Sequence, residues 1–204
     1  MSFPHQLKHG LLVAALGVAF AAPTAASAEP FKFGVLADTQ WTSNDSANNP
    51  STVALGIINQ IVPQFVNAGV KFVVQVGDMT DNGSVAGLNV WLGPMATLNN
   101  AGIGFFPVRG NHEASQTAAT TFQSIFPQTR GLSNTFGATG FASPATPSGL
   151  NGLTYTFNYD NVNIVMLDQF TRTDGTGSTA NNAVLDQVNW VVNTFAAKPA
   201  DHHG

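Results

Sequence analysis

The stretch Val70-Lys-Phe-Val-Val-Gln-Val-Gly-Asp-Met-Thr-Asp-Asn-Gly83 carries the fold. Seven residues, five of them apolar, run into Gly77-Asp78 with no helical spacing. That pattern reads as a buried strand ending in a polar turn. Upstream, Phe31-Lys-Phe-Gly-Val-Leu-Ala37 is a similar run ending at Asp38-Thr39-Gln40. Downstream, Ile103 to Val108 is a third, ending at Arg109-Gly-Asn-His-Glu113. Between them lie two helical stretches. Val53, Ile57, Ile58, Ile61 and Phe65 follow Asn49-Pro50, a capping residue with Pro in the first turn. Pro63 should kink or shorten that helix. The second helix is expected over Val85 to Leu98, weakened by Gly93-Pro94. Strand, helix, strand, helix, strand predicts an α/β chain with a parallel or mixed sheet. Ligand sites in such sheets lie beyond the carboxyl ends of the strands, where the three polar clusters fall.

The second half is looser. Gln116 to Phe126 reads as a helix, and the Gly-, Ser-, Thr- and Pro-rich stretch from Thr129 to Gly149 as a long loop. Leu153 to Tyr159 and Val162 to Leu167 read as a hairpin across Asp160-Asn161. Thr171 to Ala180 reads as a flexible loop. Val184, Val188, Val191, Val192 and Phe195 mark a last amphipathic helix.

The chain has 204 residues, 44% hydrophobic and only 9% charged, against about 25% in an ordinary soluble domain. Seven basic residues and a net charge of −4 lack the footprint of a nucleic-acid binder. There are no cysteines, which excludes disulfides and thiol chemistry. Residues 1–28 read as a signal peptide. Lys8 opens them, Leu11 to Ala22 is apolar, and Ala26-Ser27-Ala28 is a small-residue cleavage site. The apolar run falls short of the roughly 20 residues that span a bilayer. The expectation is an exported protein whose single domain is 29–204, with no membrane span after cleavage.

Carboxylates, an amide oxygen and a His converging on one sheet edge suit Mn, Fe or Zn. Two metals about 4 Å apart can clamp the attacking and leaving oxygens of a phosphoryl transfer. Asp78 is the natural bridge between them. Gly77 and Gly110 let the backbone turn sharply beneath.

The segments GVLADTQ, VGDMTDNG and VRGNHE resemble the first three motifs of the calcineurin-like metallophosphoesterases, D-x-H, G-D-x-x-D-x-G and G-N-H-[ED]. LDQ after the later strand and DQVNWVV in the last helix are similar to further family features. The resemblance spans roughly residues 31 to 200. It implies an αββα sandwich of mixed sheets flanked by helices, incomplete on its C-terminal side. It implies a phosphomonoesterase or phosphodiesterase with two divalent or trivalent metal ions, a metal-bound hydroxide as nucleophile and a small-molecule phosphoester as substrate. Asp38 and Gln40 would ligate the first metal, Asp78 would bridge, and Asn111 would ligate the second. His112 would be catalytic, stabilising charge or protonating the leaving oxygen. Arg109 and Trp41 are candidate substrate contacts, with an ion pair and core packing as the respective alternatives. Glu113 is expected to orient a neighbour or cap a helix, and Asp168 to be structural.

Two departures stand out. Gln40 occupies a position that is usually His, and Asp81 stands where purple acid phosphatases carry a Tyr ligand, so their colour is not expected. The family's later His and G-H-x-H motif have no counterpart here, leaving about half of a dinuclear ligand set. Two other readings are therefore carried: a truncated, inactive relative, and a non-enzymatic exported binding protein on the same fold.

Overall fold

The computed structural model describes residues 30–45, 48–145, 148–170 and 183–204. The leader reading of 1–28 and the loop reading of 171–180 lie outside them. Among the described residues, six strands form two sheets. In the first, β1 (Gly34–Leu36), β2 (Phe72–Val76) and β3 (Gly104–Val108) run parallel in that order. In the second, β4 (Thr139–Ala142), β5 (Tyr155–Tyr159) and β6 (Val162–Met166) are antiparallel. Parallel neighbours need a crossover, supplied by α1 (Leu55–Ala68) and by α2 (Val85–Val90) with α3 (Leu92–Asn100). Then come α4 (Gln116–Ile125), α5 (Ala183–Asp186) and α6 (Val188–Ala197). The expected α/β architecture with parallel and antiparallel sheets is the one observed.

Alternation along the strands builds two cores. Val73 of β2 and Phe105 of β3 face the helices and meet Ile58, Leu88, Trp91 and Phe122. Their neighbours Phe72 and Phe106 face the other way and pack against Tyr155, Phe157 and Met166 of the second sheet. Pro107 cannot donate a ladder hydrogen bond, and it lies in β3, an edge strand of its sheet. Its carbonyl accepts instead from the buried Tyr155 hydroxyl, at 2.8 Å. Burial pushes the Tyr155 phenol well above its ordinary pKa, so it stays a donor.

Several local expectations change. Pro50–Thr52 is a 3-10 turn, with Ser51 and Thr52 at positive φ, and α1 begins only at Leu55. The cause is tertiary: Val53 bridges to Gln40, and the Ala54 amide donates to the Thr39 carbonyl. Pro63 does not end α1, which continues to Ala68. Pro63 and Asn59 both lie on the exposed face, so the carbonyl left without its usual partner can turn to water. The helix over 85–98 divides at Trp91, whose buried indole donates to the Met79 carbonyl at 3.2 Å. Gly93-Pro94 instead fall in the first turn of α3, where Pro is tolerated. The stretch read as loop contains β4, whose pairing to β5 shifts register between Thr139 and Ala142. Glycine and threonine at an irregular edge strand offer little sequence signal. The apolar stripe of α6 buries none of its residues, and Val192 stands exposed.

The first sheet overhangs the second. Phe33 and Val35 of the β1 segment are 53% and 54% exposed, on the face that Phe72 and Val74 bury. Beside them, an apolar groove of about 420 Å³ is lined by Phe31, Phe33, Val74, Ile164 and Met166. Contiguous exposed apolar surface drives association. Phe33 also stacks on the buried Phe72, with ring centroids 5.3 Å apart, so Phe33→Ser should lower stability in urea unfolding by about 0.5–1.5 kcal/mol.

Candidate metal centre

All three polar clusters leave the carboxyl ends of parallel strands on one edge of the first sheet. The Asp38 amide donates to the Gly77 carbonyl at 3.1 Å, and the Thr39 amide to the Asp78 carbonyl at 2.9 Å. Gln75, fully buried in β2, donates from Nε2 to Thr39 Oγ1 at 2.9 Å. The loop holding Asp38 and Gln40 is thereby tied to the end of β2. Asp38 and Asp78 both sit at φ 53°, a left-handed conformation that Asp tolerates better than most residues.

The contact between the second and third clusters is closer still. A Cβ on Gly110 would stand 2.0 Å from Asp78 Oδ1, and one on Gly77 would stand 2.7 Å from the Gly110 Cα. Only glycine fits at either place. Asp78 Oδ1 then accepts the His112 amide at 3.1 Å. Glu113, completely buried, takes the Thr80 amide, the Thr80 hydroxyl and the Gly110 amide. Burial pushes the Glu113 carboxyl above its ordinary pKa, and those donors oppose the push. Glu113 thus bonds to both neighbouring loops.

His112 is partly buried, and its Nδ1 lies 2.5 Å from the Asp81 carbonyl oxygen. A carbonyl accepts only, so Nδ1 carries the proton and Nε2 is the free ring nitrogen. That carbonyl is the main cause of a raised His112 pKa; partial burial opposes it, and the charges of Asp78, Asp81 and Glu113 add to it.

Asp38 and Asn111 are exposed, Asp78 and Gln40 partly so. Gln40 Oε1 is itself buried and has no hydrogen-bond partner in the protein. Six other buried polar atoms among the described residues also lack a partner, Asn99 Oδ1 and Gln128 Oε1 among them, so this oxygen is open to a cation without by itself calling for one. Two carboxylates and two amide oxygens are hard donors, so the residues fit a hard or borderline cation. Among the described residues, no three His, Cys, Asp or Glu side chains gather closely enough to hold a metal. Half of the candidate set is amide, and Asp38 and Asp78 supply its carboxylates.

The two candidate substrate contacts differ in place. Trp41 is 43% exposed, so it is not core. Arg109 is 3% exposed and turned into the protein. Its Nε donates to Asp168 Oδ2 at 2.9 Å, and Nη1 donates to the carbonyls of Glu113 and Ser115. This is the ion-pair alternative, and it makes Arg109 a clamp on the turn that carries Asn111 and His112. Asp168 is held in turn: its amide donates to Thr154 Oγ1, and its carbonyl accepts from Gln187 Nε2. Gln187 Oε1 takes the Thr154 hydroxyl. Gln187 lies in the DQVNWVV stretch singled out in the sequence, but its role, and that of Thr154, could not be read there because the residues that meet are far apart in the chain.

Two outcomes follow from these contacts. Asp168→Ala strands a buried guanidinium, and urea unfolding should show a loss of about 3–5 kcal/mol. Asp45 holds the next loop by accepting the Asn48 and Asn49 amides, and the Asn49 amide chiefly lowers its pKa. A lowered carboxyl stabilises above its unfolded value and loses that effect as pH falls through the folded one. Amide exchange at Asn48 and Asn49 should therefore quicken, relative to the intrinsic rate, as pH drops below the ordinary aspartate value of 3.8.

No curated protein matches the chain. Among solved structures, a dimetal phosphatase from Danio rerio is similar at 22% identity and a TM-score of 0.44. The match covers 81% of this chain and 52% of that one, so this chain spans about half its length. The family model for calcineurin-like phosphoesterases matches residues 31–200, and the chain belongs to that family.

Proposed function

We propose that the chain is an exported hydrolase of small phosphomonoesters or phosphodiesters, built around two metal ions at the strand-end cluster. The observation that carries this reading is the meeting of the three strand ends on Asp78, whose Oδ1 accepts the His112 amide and whose carbonyl accepts the Thr39 amide. Asp38, Gln40, Asp78 and Asn111 would hold the ions through oxygen, with Asp78 between them. Metal ions in such a place supply Lewis acidity toward phosphoryl oxygens and lower the pKa of water.

The remaining work falls to the chain itself. The Asp81 carbonyl holds the His112 ring by Nδ1, which presents Nε2 to a departing oxygen. With Nδ1 held by that carbonyl, Nε2 is the ring nitrogen placed to give a proton to the oxygen. Asp78 has a second task, since its Oδ1 fixes the His112 backbone. Trp41, exposed beside Gln40, offers an apolar surface to the ester group. Export rests on the 1–28 leader pattern, with 29–204 as the mature domain.

A second reading, a metal-poor and inactive relative, is favoured by the lack of a three-residue His, Cys, Asp or Glu cluster among the described residues. Hydrolysis of an aryl phosphomonoester and an aryl phosphodiester with added Mn²⁺ separates the two. Turnover should require the metal, disappear in Asp78→Ala, and fall about 10²- to 10⁴-fold in kcat in His112→Ala. Turnover that ignores metal or survives Asp78→Ala would overturn the proposal. Metal-independent ligand binding unaffected by Asp78→Ala would favour a binding protein.

A further inference from the structure

We propose that Glu113 is a positioning residue, whose buried carboxylate sets the spacing between the Asp78 loop and the Asn111–His112 turn. The inference rests on the metal-site reading for its purpose, but not for its geometry. Glu113 Oε1 accepts the Thr80 amide at 2.8 Å and the Thr80 hydroxyl at 3.0 Å. Oε2 accepts the Gly110 amide at 3.0 Å. Thr80 lies two residues past Asp78, and Gly110 one residue before Asn111, so one side chain spans both candidate ligand loops. The Thr80 hydroxyl extends the span by accepting the Gly83 amide at 2.7 Å. Gly83 in turn packs on the His112 carbonyl, where a Cβ would stand 2.9 Å away.

Glu113 is fully buried and both its oxygens are engaged, so it touches neither substrate nor metal. Its role passes through the backbone. A carboxylate is required because all three partners are donors. An amide keeps one acceptor and turns an NH2 group toward an N–H, and Asp is one methylene too short to reach both loops. The reporter is the bond from the His112 amide to Asp78 Oδ1, which Glu113 does not touch.

The experiment measures amide exchange in the full, metal-free chain and Mn²⁺ affinity by calorimetry, for wild type, Glu113→Gln and the core control Ile58→Val. After correction for unfolding free energy, the His112 amide should exchange about tenfold faster in Glu113→Gln alone. Mn²⁺ binding should weaken about 10- to 100-fold, the usual loss when a partner behind the ligands goes. An unchanged His112 amide, with only the Thr80 and Gly110 amides opened, overturns the inference. If the wild type binds no Mn²⁺, the metal-site reading falls, and the His112 amide still decides the positioning role. Should Glu113→Gln fail to fold, Thr80→Val removes one donor of the same span. It should quicken His112 exchange in the same direction, and no change there overturns the inference.

Discussion

The site depends on two glycines whose backbones touch. Gly77 follows β2 and Gly110 lies just past β3, and neither position has room for a Cβ. Their contact brings Asp78 close enough to accept the His112 amide. A methyl group at either place would push the loops apart and separate the candidate ligands. Asp78 takes a left-handed backbone in the same turn, and strain of this kind gathers where function over-determines the chain. The parallel sheet supplies the coarse placement, and the glycine contact supplies the last ångströms.

Behind that contact, charge is used as structure. Glu113, within the Asn111–Glu113 turn, and Arg109, just before it, both hold that turn. The carboxylate accepts the Gly110 amide, and the guanidinium donates to the Glu113 and Ser115 carbonyls. Arg109 then reaches Asp168 beyond β6, which joins the candidate site to the second sheet. A buried ion pair is weak evidence of stability, since desolvation offsets much of the attraction. Its geometric value is clearer here: it ties the turn after β3 to Asp168, just past β6. The low charge of the chain sharpens the point, because three of its few ionic side chains, Arg109, Glu113 and Asp168, lie inside.

The first half was the more legible in sequence. Continuous apolar runs ending in Asp or Asn turns mark buried parallel strands, and β2 shows this from Phe72 to Val76. The hairpin of β5 and β6 was equally clear, from Asp160-Asn161 between two apolar runs. What escaped was set by partners distant in the chain. β4 exists because β5 offers it an edge, and α1 starts late because Val53 pairs with Gln40. Pro63 misled because its effect depends on exposure, which no local pattern reports. In the candidate site, the order and spacing of Asp38, Asp78 and Asn111 could be read directly. The inward turn of Arg109 could not, because Asp168 lies 59 residues away.

By itself, then, the sequence determined which elements form in the first half, that their polar ends share one edge, and which residue types stand there. Those follow from local rules, namely strand periodicity, turn chemistry and the need for a crossover between parallel strands. Tertiary structure alone decided how the ends meet. It made Gly110 irreplaceable, left Gln40 Oε1 buried without a partner, drew Glu113 across two loops and buried Arg109 against Asp168. Each is a contact between segments far apart in the chain, where sterics and desolvation act on pairs that local pattern does not bring together.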